Sequence, residues 1–97
     1  MGQEADLEAK CFKLVKKAGG KLKKLGADND RGCPDRLVIL EGGASFFCEF
    51  KKPGCVPTKI QLYRLEELRT LGFVAEWVDS EARFLEIWES VIAGHRK

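Results

Sequence analysis

The stretch CPDRLVILEGGASFFCEFKKPG, residues 33–54, decides how the chain folds. Two apolar runs, 36–41 and 45–51, flank the pair Gly42-Gly43. Short runs of Val, Ile, Leu and Phe joined by a glycine pair predict two antiparallel strands closed by a tight turn. Both runs are apolar along most of their length, so the sheet they build should be covered on both faces. Three charges interrupt the pattern. Asp35 stands at the start of the first run, and Glu49 and Lys51 lie either side of Phe50 in the second. A buried charge without a partner is expensive, so something should offset the cost.

Side chains alternate along a strand, so Glu49 and Lys51 share a face, about 6 to 7 Å apart. The Gly42-Gly43 turn folds one strand back on the other, which brings Asp35 to the Glu49 end. Two carboxylates converging with no cation between them repel. A hard, oxygen-liganded Mg2+ or Mn2+ resolves the conflict. Taken singly, Glu49 and Lys51 also suit a same-face ion pair on a wet strand, and Asp35 a simple turn residue after Pro34.

Outward from this hairpin the periodicity changes. Leu7, Cys11, Leu14, Val15 and Ala18 mark an amphipathic helix over 5–18, ended by Gly19-Gly20. Residues 21–25 alternate basic and apolar side chains and predict an edge strand whose lysines discourage unwanted pairing. Residues 26–35 form a polar loop. After a loop bracketed by Pro53 and Pro57, a helix over 59–71 carries Leu62, Leu65 and Leu68 on one stripe and stops at Gly72. Thr58-x-x-Gln61 reads as its capping box, in which glutamine returns a hydrogen bond to the helix start. Residues 73–78 make a further strand, and Asp79 or Ser80 caps a last helix bearing Phe84, Leu85, Trp88, Val91 and Ile92. The order α-β-β-β-α-β-α predicts an α/β domain, a mixed β-sheet flanked by helices on both faces, spanning residues 1–97.

The whole-chain totals narrow the function classes. With 44% hydrophobic and 33% charged residues the chain is globular. Its net charge of +2 makes no overall basic field, so affinity for nucleic acid has to come from where the charges sit. The apolar runs are far shorter than a membrane span, and the start lacks a signal peptide's order, which predicts a cytoplasmic, intracellular protein with no membrane partner. Cys11, Cys33, Cys48 and Cys55 show no CxxC spacing, and His95 is the one histidine, a pattern that suits neither zinc nor a disulfide framework. Cys11 and Cys48 fall on apolar faces as packing residues, and Trp77 and Trp88 on core patterns. Lys13, Lys16, Lys17, Lys21, Lys23 and Lys24 gather around the first helix end. Lys51, Lys52, Lys59 and Arg64, with Arg31 and Arg36, are better placed to hold phosphates.

Gly-x-Pro-Asp over Gly32 to Asp35, then Glu-Phe-Lys over Glu49 to Lys51, a Pro-Gly loop, Gln61 opening the next helix and the LGF step at Leu71 to Phe73 carry a resemblance. The chain resembles the PD-(D/E)XK nucleases with their restriction-endonuclease-like fold, and within them the virus-type replication-repair nuclease (VRR-NUC) branch, as a stand-alone domain of the kind found in phages. The likeness covers nearly the whole chain. A bare PD…ExK arises easily by chance; the glycine, the loop, the glutamine and the element order in register make it specific.

The resemblance implies a metal-dependent DNA endonuclease, cofactor Mg2+ or Mn2+, in which Asp35, Glu49 and the backbone carbonyl of Phe50 hold the metal. Lys51 would orient or deprotonate the attacking water and stabilise charge on the phosphate, and Gln61 would position water or the DNA backbone. The family also has a glutamate on the first helix, a place that Glu8 fits best, as a further site residue and metal ligand, with Glu4 one turn earlier as the competitor. Stand-alone members are associated with homodimers and with branched DNA such as four-way (Holliday) junctions, hence with DNA repair. Two alternatives stay open: a catalytically silent module of the same fold that holds DNA or a protein partner, and RNA as the substrate.

Overall fold

The computed structural model describes residues 2–25 and 31–95, so part of the expected polar loop lies outside the described residues. The elements run α1 (Gln3–Lys17), β1 (Lys21–Lys24), β2 (Arg36–Ile39), a single 3-10 turn (Glu41–Gly43), β3 (Ser45–Phe50), α2 (Lys59–Thr70), β4 (Ala75–Val78) and α3 (Glu81–His95). They build one sheet of order β1-β2-β3-β4. The β1/β2 and β2/β3 pairs are antiparallel and β3/β4 is parallel, which makes the sheet mixed as the sequence predicts.

Helices cover both faces. On one side Leu7, Cys11 and Val15 of α1, spaced one turn apart, pack with Phe84, Ile87 and Val91 of α3 over Val38, Phe46, Cys48, Phe50 and Val78. Phe84 centres this core, with ring centroids 5.6 Å from Phe46, 5.9 Å from Phe50 and 6.0 Å from Trp88. Burying a side chain of this size stabilises the fold by about 2–3 kcal/mol. On the other side α2 packs on β4, where Leu65 and Ala75 are buried. Cys11 and Cys48 are fully buried, and burial pushes the Cys11 thiol up to about 12 and the Cys48 thiol well above its ordinary value. Both are packing residues.

Several boundaries differ from the sequence reading. α1 begins at Gln3 rather than 5, with Glu4 and Asp6 in its first turn and Lys16 and Lys17 in its last, the arrangement that complements the helix dipole. The expected two-residue turn is wider. Leu40 donates to the Ala44 carbonyl at 2.7 Å, Gly43 donates to Leu40 at 3.2 Å, and Gly42 sits at φ 78°, so β2 stops at Ile39. β4 begins only at Ala75, because the Phe73 amide is spent on the Leu68 carbonyl at the end of α2, 3.0 Å away. Leu62 is not part of a buried stripe: it is 43% exposed, while Leu65 alone on α2 is buried. Residues three apart rotate by about 60° relative to one face at each step, so a leucine triplet of this spacing winds off the sheet. Trp77 is only half-buried, and Trp88, also half-buried, packs against the core through Phe84. Ser80, not Asp79, caps α3, its hydroxyl accepting from the Arg83 amide at 3.1 Å.

These elements place one end of the sheet for chemistry. Parallel β3 and β4 both finish there, antiparallel β2 begins there, and the loop after β3 leads into the start of α2. Crevices at the carboxyl ends of parallel strands are where open α/β sheets bind their ligands.

Candidate active site

Glu49 is the charge the fold hides. Its neighbours in β3 are apolar, its register partner across the parallel ladder is Trp77, and it is 8% exposed, the one buried charged residue among those described. The β2/β3 register sets Arg36 opposite Cys48, which carries the chain on so that Asp35 stands opposite Glu49. Burial pushes the Glu49 carboxyl up to about 7, and the Asp35 charge adds to the rise. Lys51 opposes it, as does a backbone hydrogen bond from Asp35, while Glu4 adds a further like charge. Lys51 lies just past the end of β3, yet its amide still donates to the Val78 carbonyl at 2.8 Å. The strand's alternation therefore holds through Lys51, and its ammonium reaches the field of Glu49.

Gln61 does two things at once. Its Oε1 accepts from the Thr58 amide at 2.9 Å while its own amide donates to Thr58 Oγ1 at 3.3 Å, completing the capping box. Its Nε2 points the other way and donates to Glu49 Oε2 at 3.4 Å. The cap fixes the amide's rotation, and the amide then faces the buried carboxylate.

Gly32 explains the glycine of the Gly-x-Pro-Asp stretch. Its φ is +80°, and a Cβ built there would meet Ile60 Cγ1 at 2.8 Å and the Ile60 carbonyl oxygen at 2.9 Å. Only a glycine lets the segment before Asp35 lie against the first turn of α2. Arg64 Nε reinforces the contact by donating to the Arg31 carbonyl at 3.0 Å.

Glu8 and Arg36 differ from their sequence assignments in surroundings. Arg36 is not displayed toward phosphates: its Nε donates to Glu8 Oε2 at 2.7 Å and its Nη2 to Glu8 Oε1 at 3.0 Å. Its Nη1 lies 3.1 Å from Asp35 Oδ2. Glu8 thus belongs to this end of the sheet, with both its oxygens engaged by Arg36. The link joins residues 28 apart in sequence, and nothing in either segment's periodicity announces it.

The donor set suits a hard divalent cation. Among the described residues no three His, Cys, Asp or Glu side chains gather as a metal cluster. Asp35 and Glu49 supply two carboxylates, and the Phe50 carbonyl is the adjacent backbone oxygen. Mg2+ and Mn2+ are commonly held by one or two carboxylates with water completing the shell. A cation there would also reverse the like-charge pressure on Glu49.

A protein described as "Putative nuclease p44", from Acyrthosiphon pisum secondary endosymbiont phage 1, is 38% identical over 79 residues, 81% of this chain and 85% of its own length. A solved structure described as a VRR_NUC domain superposes with a TM-score of 0.81, covering 92% of this chain and 97% of that one at 28% identity. The chain belongs to the VRR-NUC family of nucleases. No family model matches it. As a VRR-NUC domain the protein has the restriction-endonuclease-like α/β architecture expected from its sequence, and no helix among the described residues is long and apolar enough to cross a membrane.

Proposed function

We propose that this VRR-NUC domain is a metal-dependent endodeoxyribonuclease that hydrolyses DNA phosphodiester bonds, acting as a homodimer on branched DNA such as four-way junctions. The observation that carries the reading is Glu49: a buried carboxylate, pushed up to about 7, with Asp35 against it and Lys51 in its field at the mouth of a nuclease-family sheet. A structural ion pair would set one cation against one carboxylate; here two carboxylates converge with Lys51 to one side, an arrangement that a divalent cation would balance.

In this reading Asp35, Glu49 and the Phe50 carbonyl hold Mg2+ or Mn2+, which when bound acidifies water and stabilises the phosphate's developing charge. The chain's own residues do the rest. The Lys51 ammonium orients the attacking water or, once deprotonated, takes its proton, and otherwise neutralises charge on a non-bridging oxygen. A bond forms from the water oxygen to phosphorus as the bond to the leaving oxygen breaks. Gln61 orients the Glu49 carboxylate from behind. Glu8 reaches a metal there only by releasing Arg36.

The deciding experiment is cleavage of labelled four-way-junction, duplex and single-stranded DNA, and of an RNA counterpart, with Mg2+ or Mn2+ and with chelator, by wild type and Lys51→Ala. Metal-dependent cutting of DNA that disappears in the variant is expected. A folded wild type that binds DNA without cutting it would make the domain a silent binding module, and preferential cutting of RNA would change the substrate.

A further inference from the structure

We propose that Glu8 serves the active site through Arg36 rather than as a metal ligand, and that Arg36 is the positioning residue that fixes Asp35. The proposal rests on the nuclease reading above. Its basis is the way the guanidinium is used. Nε and Nη2 form a two-pronged pair with Glu8 at 2.7 and 3.0 Å, and Nη1 reaches both Asp35 Oδ2 at 3.1 Å and the Asp35 backbone carbonyl at 3.0 Å. All three nitrogens are committed.

The faces of the sheet make this a bridge. Arg36 shares its register position with Cys48, whose side chain lies in the α1 core, so Arg36 rises toward α1 and meets Glu8 there. Asp35 precedes it and stands at the Glu49 end. One rigid fork therefore ties the first helix to a metal-binding aspartate across the end of a strand. The Arg36 side chain is only 13% exposed, whereas that of Asp35 is 53% exposed and would wander without the tie. Charge-assisted two-pronged pairs are strong and directional. To approach a metal Glu8 would have to break both bonds and leave Nε and Nη2 of a largely buried guanidinium without partners. Holding one Asp35 oxygen leaves the other available to a cation. A lysine cannot replace the fork, since a single ammonium on a flexible stem does not span two carboxylates in fixed directions.

The two roles for Glu8 separate in a double-mutant cycle read by Mn2+ binding without DNA. Free Mn2+ is titrated by its electron paramagnetic resonance signal against wild type, Glu8→Gln, Arg36→Met, Arg36→Lys and the Glu8→Gln pairs with each arginine variant, with metal-free melting followed for all. Glu8→Gln is expected to weaken Mn2+ binding about tenfold, the usual scale for an outer-shell partner. Arg36→Met and Arg36→Lys should weaken it similarly, and adding Glu8→Gln to either should cost nothing more. If Arg36→Met melts without a cooperative transition, the Arg36→Lys arm alone decides. The proposal is overturned if Glu8→Gln costs the same factor with or without Arg36, if Arg36→Lys binds as wild type does, or if Arg36→Met binds more tightly, which would make the guanidinium a mere competitor of the metal. A wild type that neither binds Mn2+ nor cuts DNA defeats the nuclease reading as well; one that does both while the variants prove additive defeats only this inference.

Discussion

Glu49 ties stability to pH in a direction opposite to most carboxylates. Its proton leaves near 4.5 when unfolded and at about 7 when folded, so between those values the folded state holds the extra proton. Metal-free protein should therefore lose stability as pH rises through that window, by roughly 2–3 kcal/mol, with the full stabilisation present only below it. Urea unfolding at pH 5 and pH 8 in chelator measures the effect. Glu49→Gln should flatten the dependence and raise stability at pH 8; an unchanged slope would mean that Glu49 is not the group responsible. Lys51→Ala should abolish cleavage while leaving folding and Mn2+-induced stabilisation nearly intact, and Asp35→Ala should lose that stabilisation; melting with and without Mn2+ tests both. That Lys51 lies in the field of Glu49 was legible in the sequence because a strand's period of two fixes which side chains share a face. The engagement of Glu8 by Arg36 was not, because it depends on how α1 lies across β2, and amphipathic spacing specifies only which face is apolar.

Elements position these residues through their ends. The capping box was readable as Thr58-x-x-Gln61, whereas a place for Gln61 at the site came only from the resemblance; in the structure one amide reaches both ways, oxygen to the helix and nitrogen to Glu49. Gln61→Glu separates the two. Glutamate is equally suited to a capping box, so at pH 5, where Glu49 keeps its proton, the melting temperature should barely change, while at neutral pH the donor to Glu49 is replaced by a like charge. Cleavage should fall on the order of tenfold or more, as for other outer-shell changes. An equal loss of stability and activity would instead make Gln61 purely structural. Gly32→Ala tests the other junction. With φ at +80° and Ile60 backbone within 2.9 Å of a new Cβ, the loop must shift away from α2. A cost of about 1–3 kcal/mol is expected, together with weakened Mn2+ binding as Asp35 moves with the loop. Sequence alone could flag this glycine only as part of a pattern, since its neighbour Ile60 lies across the fold. Strand ends were least legible for a similar reason: the amides of Leu40 and Phe73 choose partners that periodicity does not specify.

At the scale of the molecule, both sheet edges are guarded against adding a strand. β1 exposes Lys21, Lys23 and Lys24, and on β4 the Arg69 guanidinium occupies the Ala75 carbonyl at 2.8 Å and Glu76 at 3.0 Å, with Arg83 Nη2 3.5 Å from the same carboxylate oxygen. A homodimer of this VRR-NUC domain would therefore associate through helices or loops rather than by extending the sheet. One chain carries one Glu49 site and has extents of only 32 × 32 × 23 Å, little surface on which to grip two arms of a branched substrate. Two-fold pairing would supply a second site facing the opposite strand. Sedimentation equilibrium should then report twice the chain mass. A subunit-mixing experiment goes further: wild type refolded with excess Lys51→Ala gives mixed dimers with one competent site. On a four-way junction carried in a supercoiled plasmid, wild-type dimers should linearise the circle by paired cuts, whereas mixed dimers should leave it nicked. If linear product instead falls only in proportion to the wild-type fraction, each chain cuts alone and the dimer has no part in pairing the cuts.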